Sequence, residues 1–294
     1  MKIGVIGNPR YPTLHDVLSR LATHVATNGH TLVCEKALAE HWPEPVEDLG
    51  PAVGTLDLLI TFGGDGTLLR GIRLLGERQI PILSFNLGEI GFLTSTKPEF
   101  LEEALESVTR GEHHIEERFA LEVTHVATNG ATKHCHTVLN DVVVNKPQTS
   151  RVIRVRVSVD GEEVGQYTAD GMIVATAAGS TAYSMSAGGP VVLPHVDAMV
   201  LTPICPHTLR VRPVVVPGTA EVVLESIPRG TEEPLVQLDG QLGCTLKRGE
   251  SIVVRRAPLS VHLVRLGREG FFARMRQKLE WGDLSDRERM TRAD

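Results

Sequence analysis

The chain has 294 residues, a length that predicts about two domains rather than one small core. Hydrophobic residues make up 41% and charged residues 22% of it, which is ordinary globular usage and excludes a disordered or collagen-like protein. Thirty basic against thirty-six acidic side chains give a formal net charge of −6, which argues against a nucleic-acid partner held through many phosphates.

The cysteines indicate the compartment. Four are scattered along the chain without a C-x-x-C pair, so they fit neither a zinc site nor a disulfide framework. The N-terminal stretch from Met1 to Pro9 is apolar over too short a length for a secretory signal, and no run approaches the roughly 18 apolar residues that span a bilayer. We therefore expect a cytoplasmic protein that has no membrane partner.

The first part of the chain alternates predicted strands with predicted helices. The strands cover residues 2–7, 31–34, 56–62 and 80–85, and the helices cover 14–25, 68–75 and 100–108. Such alternation predicts an open, Rossmann-like parallel α/β domain. We place this domain at residues 1–118 and expect the C-terminal segment, about residues 265–294, to pack back on it through an apolar helical face.

From about residue 119 the pattern becomes rich in short strands. They are predicted at residues 152–159, 211–216, 220–224, 235–238, 251–255 and 260–264. Asp160-Gly161 is a strong hairpin signal. The sequence therefore predicts a second domain, residues 119–264, built as an antiparallel β-sandwich-like structure.

A glycine-rich loop follows the most apolar strand of the first domain. Gly63-Gly64-Asp65-Gly66-Thr67 stands directly before a predicted helix, where bare backbone N–H groups and the helix N-terminus favour phosphate. A carboxylate in such a loop suits proton acceptance from a hydroxyl or a divalent cation shared with phosphates. The alternative is a tight turn in which Asp65 only caps the helix.

Three further segments carry polar side chains at places that suit a ligand. Asn86 follows the next predicted strand, and it either holds a ligand or shapes the turn. Asn140 and Asp141 stand in an apolar strand; a sugar diol would satisfy them, but so would a bulge or a salt bridge. Residues 170–190 combine small side chains with hydroxyls, which fits a flat ring or ordinary helix packing.

Together these segments resemble the NAD kinases. The resemblance runs from Ile3 to about Leu263, and the motifs that carry it are Gly63-Gly64-Asp65-Gly66-Thr67, Asn86-Leu87-Gly88, Gly91-Phe92-Leu93, Asn140-Asp141, Asp170-Gly171, residues 179–190, residues 202–209 and Asp239-Gly240-Gln241. The glycine loop is shared with lipid kinases and phosphofructokinases, whereas the stretches around Thr181-Ala182-Tyr183 and Pro206-His207-Thr208-Leu209 are more particular to the family.

The resemblance implies that the protein phosphorylates the 2′-hydroxyl of the adenosine ribose of NAD with ATP, which gives NADP and ADP. It makes Asp65 the catalytic proton acceptor. The NAD-binding positions that it implies are Asp65, Gly66, Arg70, Asn86, Asn140, Asp141, Arg151, Asp170, Thr181, Ala182, Tyr183, Ser184, Met185, Ser186 and Gln241, and the phosphate loop is Gly63, Gly64, Gly66 and Thr67.

Individual roles also follow from the resemblance. Asn140 and Asp141 would bind ribose hydroxyls, Asp170 the nicotinamide end, and residues 181–186 the adenine and its ribose. Arg70, one turn beyond Asp65, would reach a phosphate; its alternative is an exposed helix cation. Asp141 stands where family members commonly have glutamate, and residues 176–179 lack the usual Thr-Pro-Thr-Gly, which affects donor and substrate preference rather than Asp65.

The family also implies the cofactor and the partners. A divalent cation, usually magnesium, would accompany ATP, and inorganic polyphosphate is an alternative donor. Family members assemble as homodimers or homotetramers. Two other functions remain open at this point: a lipid or sugar kinase of the same superfamily, and a non-catalytic sensor that binds NAD or NADP.

Overall fold

The computed structural model describes residues 1–42, 45–88, 91–147, 151–227, 233–267 and 270–279, apart from the side chains of 134–136. These residues divide into two compact units, one within 1–116 and 262–279 and the other within 117–261. Within the described residues, no helix combines the length and the apolarity that a bilayer crossing requires.

The first unit is built on a parallel sheet. Its strands are β1 (Lys2–Gly7), β2 (Thr31–Cys34), β3 (Glu47–Asp48), β4 (Leu58–Gly63) and β5 (Ile82–Asn86). They pair in the order β5-β4-β1-β2-β3, and each of these pairs is parallel. Every residue of β4 is buried, as a central strand of a covered parallel sheet requires.

Helices alternate with these strands along the chain. They are α1 (Leu14–Thr27), α2 (Leu49–Ala52), α3 (Asp65–Leu75) and α4 (Leu101–Arg110), with 3₁₀ turns at Lys36–His41, Val53–Thr55 and Pro98–Phe100. The buried face of α1 repeats at helical spacing from Leu14 to Val25 and the helix ends before Gly29, whose φ is +66°. Helix α3 starts three residues earlier than predicted, because Gly64 takes the N-cap position in an extended conformation.

The second unit is a β-sandwich. The strands that follow β5 are β6 (His114–Val126), β7 (Thr132–Val138), β8 (Asp141–Asn145), β9 (Ile153–Val159), β10 (Glu162–Ala169), β11 (Gly171–Thr176), β12 (Ala198–Ile204), β13 (Val214–Pro217), β14 (Val222–Ser226), β15 (Leu235–Leu238), β16 (Gln241–Thr245) and β17 (Ser251–Arg265). One sheet contains the order β10-β9-β14-β17 and the other runs β13-β12-β11-β8-β15-β16. The strand pairs of both runs are antiparallel.

The two sheets share one hydrophobic core. Val155 and Leu224 from one sheet pack in the same buried cluster as Val142, Val174 and Leu201 from the other. The short helix α5 (Tyr183–Ser186) and the 3₁₀ turn Gly179–Thr181 follow β11. The predicted combination of a parallel α/β domain with an antiparallel β domain is therefore confirmed.

The end of the chain differs from its prediction in one respect. Residues 251–255 and 260–264, predicted as two strands, belong to the single strand β17. Residues 256–259 continue the strand, but the buried side chains change phase there, because Arg255 and Arg256 are both exposed before Ala257 is buried. Leu263 of β17 pairs in parallel with Ile82 of β5, and helix α6 (Phe271–Leu279) follows.

Candidate active site

The glycine loop joins β4 to α3 at the carboxyl end of the parallel sheet. At Gly63 φ is +157°, and a Cβ would lie 2.2 Å from the hydroxyl oxygen of Thr67, so only glycine fits. Gly64 and Gly66 face open space on the side where a Cβ would stand. A cavity of about 420 Å³ adjoins the loop; it is lined by Gly7, Asn8, Pro9, Arg10, Tyr11, Gly64, Gly66, Thr67 and Arg70.

The Asp65 carboxylate is held by a turn that follows β5. Its Oδ2 accepts the N–H of Phe92 at 2.9 Å, and its Oδ1 accepts those of Leu93 at 3.1 Å and Thr94 at 3.2 Å. The first residue of this 91–94 turn is Gly91, where a side chain does not fit, because a Cβ there would lie 2.1 Å from Oδ1 of Asp65. Asp65 is therefore the first residue of α3 and not its cap, and its side chain remains 24% exposed.

A cation from the C-terminal helix also lies beside Asp65. The Nζ atom of Lys278 is 3.8 Å from Oδ2 of Asp65 and 4.6 Å from the centre of the Phe92 ring. Phe92 in turn stacks on Phe271, with 6.0 Å between the ring centres. Lys278 could not be identified from the sequence, which predicts only a packing role for this helix, because the residues around Lys278 carry no ligand-like motif.

Arg70 has partners within the protein that are distant from it in the sequence. Its guanidinium forms an ion pair with Glu35 and donates to the carbonyl oxygen of Gly7 at 2.7 Å. Glu35 also accepts the N–H of Gly7 at 2.8 Å, so the pair anchors the start of the loop after β1. Arg70 still lines the cavity beside the glycine loop, and a contact with substrate stays a prediction.

Asn86 shapes the next loop. Its side-chain oxygen accepts the N–H of Gly88 at 2.9 Å, and its own N–H donates to the carbonyl of Thr96 at 2.8 Å. Together with Gly88, Gly91 and Thr94 it lines a neighbouring cavity of about 680 Å³. Residues 89 and 90 of the predicted loop lie outside the described residues.

In the second unit, Asp239 fixes the backbone of Asn140 and Asp141. Its carboxylate accepts three consecutive N–H groups, from Leu139 at 3.0 Å, Asn140 at 2.7 Å and Asp141 at 3.2 Å. Asp239 itself has a φ of +48°, a left-handed conformation that aspartate tolerates better than most residues. Asn140 directly precedes β8 and Asp141 opens it, so the two lie at the strand end rather than within it.

The Asp141 carboxyl is 4% exposed and carries an unusual proton affinity. Burial raises its pKa to about 7, and the nearby charge of Asp239 adds to the increase, while a hydrogen bond from the backbone of Tyr183 opposes it. Near neutral pH this group is therefore divided between its neutral and ionised forms, so it can donate as well as accept a hydrogen bond.

The loop after β11 lies against the same strand end. The Thr176 hydroxyl donates to the carbonyl of Leu139 at 2.6 Å, and the Thr176 N–H donates to that of Asn140 at 2.9 Å. A Cβ on Gly179 would lie 1.9 Å from the Asn140 carbonyl oxygen, so glycine is required there. The sequence separates residues 140 and 179, and the fold brings them into contact.

The remaining predicted positions differ in exposure. Tyr183 is 41% exposed, whereas Ser184 is buried, with its Oγ 2.8 Å from the hydroxyl of Thr202. Asp170 pairs with Lys146 at 2.9 Å. Thr181, Ala182 and Met185 are partly buried, and Arg151, Ser186 and Gln241 are exposed. The structure thus gathers Asn140, Asp141 and residues 179–184 at one place in this unit.

Replacing Asp141 by Asn is expected to stabilise the protein in a pH-dependent way. Folding raises the pKa of this carboxyl, so the folded state binds its proton more tightly than the unfolded state does. The free energy of unfolding is therefore highest below about pH 4, where the group is neutral in both states, and it falls as the pH rises toward 7. Asn removes that loss because it carries no charge at any pH, and its side-chain oxygen can still accept from the backbone of Tyr183. We expect the free energy of unfolding at pH 8 to increase by on the order of 3 kcal/mol.

Urea denaturation followed by circular dichroism at pH 5 and pH 8 measures this effect. Asp160→Asn, at the exposed hairpin turn between β9 and β10, is the matched control and should change little at either pH. An equal gain at both pH values would contradict the assignment of the effect to Asp141 ionisation.

Two family models match the chain. The model described as the ATP-NAD kinase N-terminal domain matches residues 3–113, and the one described as the ATP-NAD kinase C-terminal domain matches residues 139–266. Among curated proteins, the chain is 44% identical to an NAD kinase of Gemmatimonas aurantiaca over 98% of this chain and 99% of that one. It is 40% identical to an NAD kinase of Koribacter versatilis, with 96% and 98% covered.

Solved structures give the same grouping. A yeast NADH kinase complexed with NADH superimposes with a TM-score of 0.89 at 24% identity, and 96% of this chain and 88% of that one are covered. An NAD kinase from Archaeoglobus fulgidus in complex with ATP superimposes with a TM-score of 0.74 at 26% identity, with 95% and 99% covered. The first likeness concerns the fold alone.

Proposed function

This chain belongs to the NAD kinase family, and from that premise we propose that its Asp65 drives transfer of the γ-phosphoryl group of ATP to the 2′-hydroxyl of the adenosine ribose of NAD. The products are NADP and ADP. The observation that carries the assignment to Asp65 is its partly exposed carboxylate in the glycine loop, which three N–H groups of the 91–94 turn hold in place.

The dinucleotide is proposed to bind the residues gathered in the second unit. Asn140 and Asp141 would receive ribose hydroxyls, and the half-neutral Asp141 carboxyl suits a hydroxyl partner that both donates and accepts. The exposed ring of Tyr183 offers a flat apolar surface for the adenine. Asp170 remains proposed for the nicotinamide end, and Arg151 and Gln241 for outer contacts.

The triphosphate of ATP is proposed to occupy the cavity beside the glycine loop. Helix α3 begins within this loop, and a helix N-terminus favours an anion such as phosphate. Arg10 adds an exposed guanidinium to the same cavity. A lone arginine after a predicted strand carries no motif, so the sequence does not identify Arg10 as a binding residue.

Asp65 is proposed to accept the proton of the 2′-hydroxyl. A carboxylate has about four acceptor sites; Oδ1 uses two and Oδ2 uses one on the 91–94 turn, which leaves one on Oδ2 for the hydroxyl. As the ribose oxygen bonds to the γ-phosphorus, the bond to the β–γ bridging oxygen breaks and the proton passes to Asp65. ADP carries the electron pair away.

Magnesium is proposed to arrive with ATP as part of the substrate. Mg²⁺ usually binds one or two carboxylates together with waters and substrate phosphates. Among the described residues, no group of three or more His, Cys, Asp or Glu side chains could hold a metal ion. Mg²⁺ would supply charge neutralisation on the phosphates.

Incubating the full chain with NAD, ATP and magnesium chloride, and measuring NADP, tests the function. We expect NADP to accumulate, and parallel reactions with NADH and with inorganic polyphosphate define the acceptor and the donor. Phosphorylation of diacylglycerol or a hexose instead of NAD would favour the other kinases of the superfamily. Binding of NAD without turnover would favour the sensor.

The cytoplasmic location and the homodimer or homotetramer remain proposals from the sequence.

A further inference from the structure

Arg265, the last residue of β17, is a charged side chain buried in the first unit. It is 5% exposed. Its Nε donates to Glu116 at 2.6 Å, and its Nη1 donates to the carbonyls of Leu93 at 2.9 Å and Thr94 at 3.2 Å. A buried guanidinium is costly unless its donors are used, so its placement requires these partners.

The same turn therefore has a cation on one side and the Asp65 carboxylate on the other. The peptide group between Leu93 and Thr94 shows this directly: its C=O accepts from Arg265 at 2.9 Å, and its N–H donates to Oδ1 of Asp65 at 3.2 Å. In a planar trans peptide these two groups point in opposite directions. A guanidinium on the carbonyl polarises the peptide and strengthens the opposite N–H as a donor.

We propose that Arg265 is a positioning residue for Asp65, acting through the 91–94 turn. Glu116 fixes the guanidinium, the guanidinium fixes the carbonyls of Leu93 and Thr94, and the amides of the turn fix the carboxylate. The proposal rests on the function proposed for Asp65. The sequence gives no indication of it, since residues 65, 93 and 265 meet only in the fold.

The geometry of the contact requires arginine. Its planar fork reaches a carboxylate through Nε and two carbonyls through Nη1, whereas a lysine ammonium is a single point on a flexible stem. Arg265→Lys should therefore keep the buried charge and retain more activity than Arg265→Gln. Arg265→Gln should remove both the charge and the fork.

Four full-length variants test the proposal: Arg265→Gln, Arg265→Lys, Glu116→Gln and the control Arg156→Gln. Arg156 is partly buried and pairs with Glu163 and Glu225 in the second unit. For each we would measure kcat, the KM values for NAD and ATP, and amide hydrogen exchange of a peptide covering residues 91–96.

For Arg265→Gln we expect kcat to fall about ten- to a hundredfold, the loss that a small displacement of a reacting group causes. Both KM values should stay within about twofold, because the substrate contacts proposed above are elsewhere. The amides of the turn should exchange faster.

Arg265→Lys and Glu116→Gln should give intermediate values, and Arg156→Gln should match the unsubstituted protein. Unchanged kcat and unchanged exchange in Arg265→Gln would overturn the proposal, as would an equal loss in Arg156→Gln. Should Arg265→Gln fail to fold, Glu116→Gln decides by the same criteria. Normal turnover in Asp65→Asn would refute the function of Asp65 itself, whereas the exchange measurement reports on the turn without reference to activity.

Discussion

Replacing Asp65 by Asn is expected to lower kcat for NADP formation by about 10² to 10⁴, the range associated with general-base catalysis. The substitution keeps size and shape but removes the group that would accept the 2′-hydroxyl proton. NAD affinity should change little, since the dinucleotide contacts proposed above lie mostly on Asn140, Asp141 and residues 181–186. Steady-state kinetics and calorimetric titration with NAD measure the two effects separately.

Asp65 also accepts hydrogen bonds from the 91–94 turn, and this structural role has to be separated from its proposed role as proton acceptor. An Asn side-chain oxygen can still accept from Leu93 and Thr94, but its NH₂ group would face the N–H of Phe92, which Oδ2 now accepts at 2.9 Å. Some loosening near Phe92 is therefore expected. Amide exchange of the 91–94 turn shows how large this effect is, independently of catalysis.

A matched control for this substitution is available in the second unit. Asp160 also accepts a backbone N–H, from Glu221 at 2.8 Å, so Asp160→Asn repeats the chemical change at a hairpin with no proposed role in catalysis. Its kcat should equal that of the unsubstituted protein. Normal turnover in Asp65→Asn would remove this carboxylate from the mechanism.

The glycine loop and the alternation of strands and helices could be predicted because both are local patterns. The apolar stretch that includes β4 demands burial on both faces, and Gly63 is required by contacts within its own loop. Asp160-Gly161 likewise forms the predicted turn, with φ of +50° and +82° at the two residues. In each of these places the determining contacts lie within a few residues.

The partners of the site residues could not be predicted, because they are distant in the sequence. Asp239 binds backbone about one hundred residues earlier, and Lys278 and Arg265 reach the Asp65 region from the far end of the chain. Arg70 is a further example. Its position one turn after Asp65 suggests a phosphate contact, whereas its ion-pair partner in the structure is Glu35, which is 35 residues earlier in the sequence. Hydrophobic periodicity contains no information about such pairs.

Gly91→Ala is expected to reduce kcat by about a hundredfold without removing any functional group. The new Cβ would stand 2.1 Å from Oδ1 of Asp65 and 2.8 Å from the Thr94 hydroxyl, distances that real contacts do not reach. The carboxylate must then rotate away from the 91–94 turn and lose the hydrogen bonds that orient it. Misplacing a reacting group by about 1 Å is enough to cost about 10² in rate.

Kinetics, thermal unfolding and amide exchange of Gly91→Ala test this expectation together. Overpacking at one site typically costs about 1 to 3 kcal/mol, so the variant should fold. Gly54→Ala is the control in the same unit, since a Cβ there would meet only Arg78 at an ordinary 3.9 Å. A Gly91→Ala protein whose kcat stays within about twofold of the control would mean that catalysis tolerates a displaced Asp65, and the carboxylate's fixed orientation would then have no part in the rate.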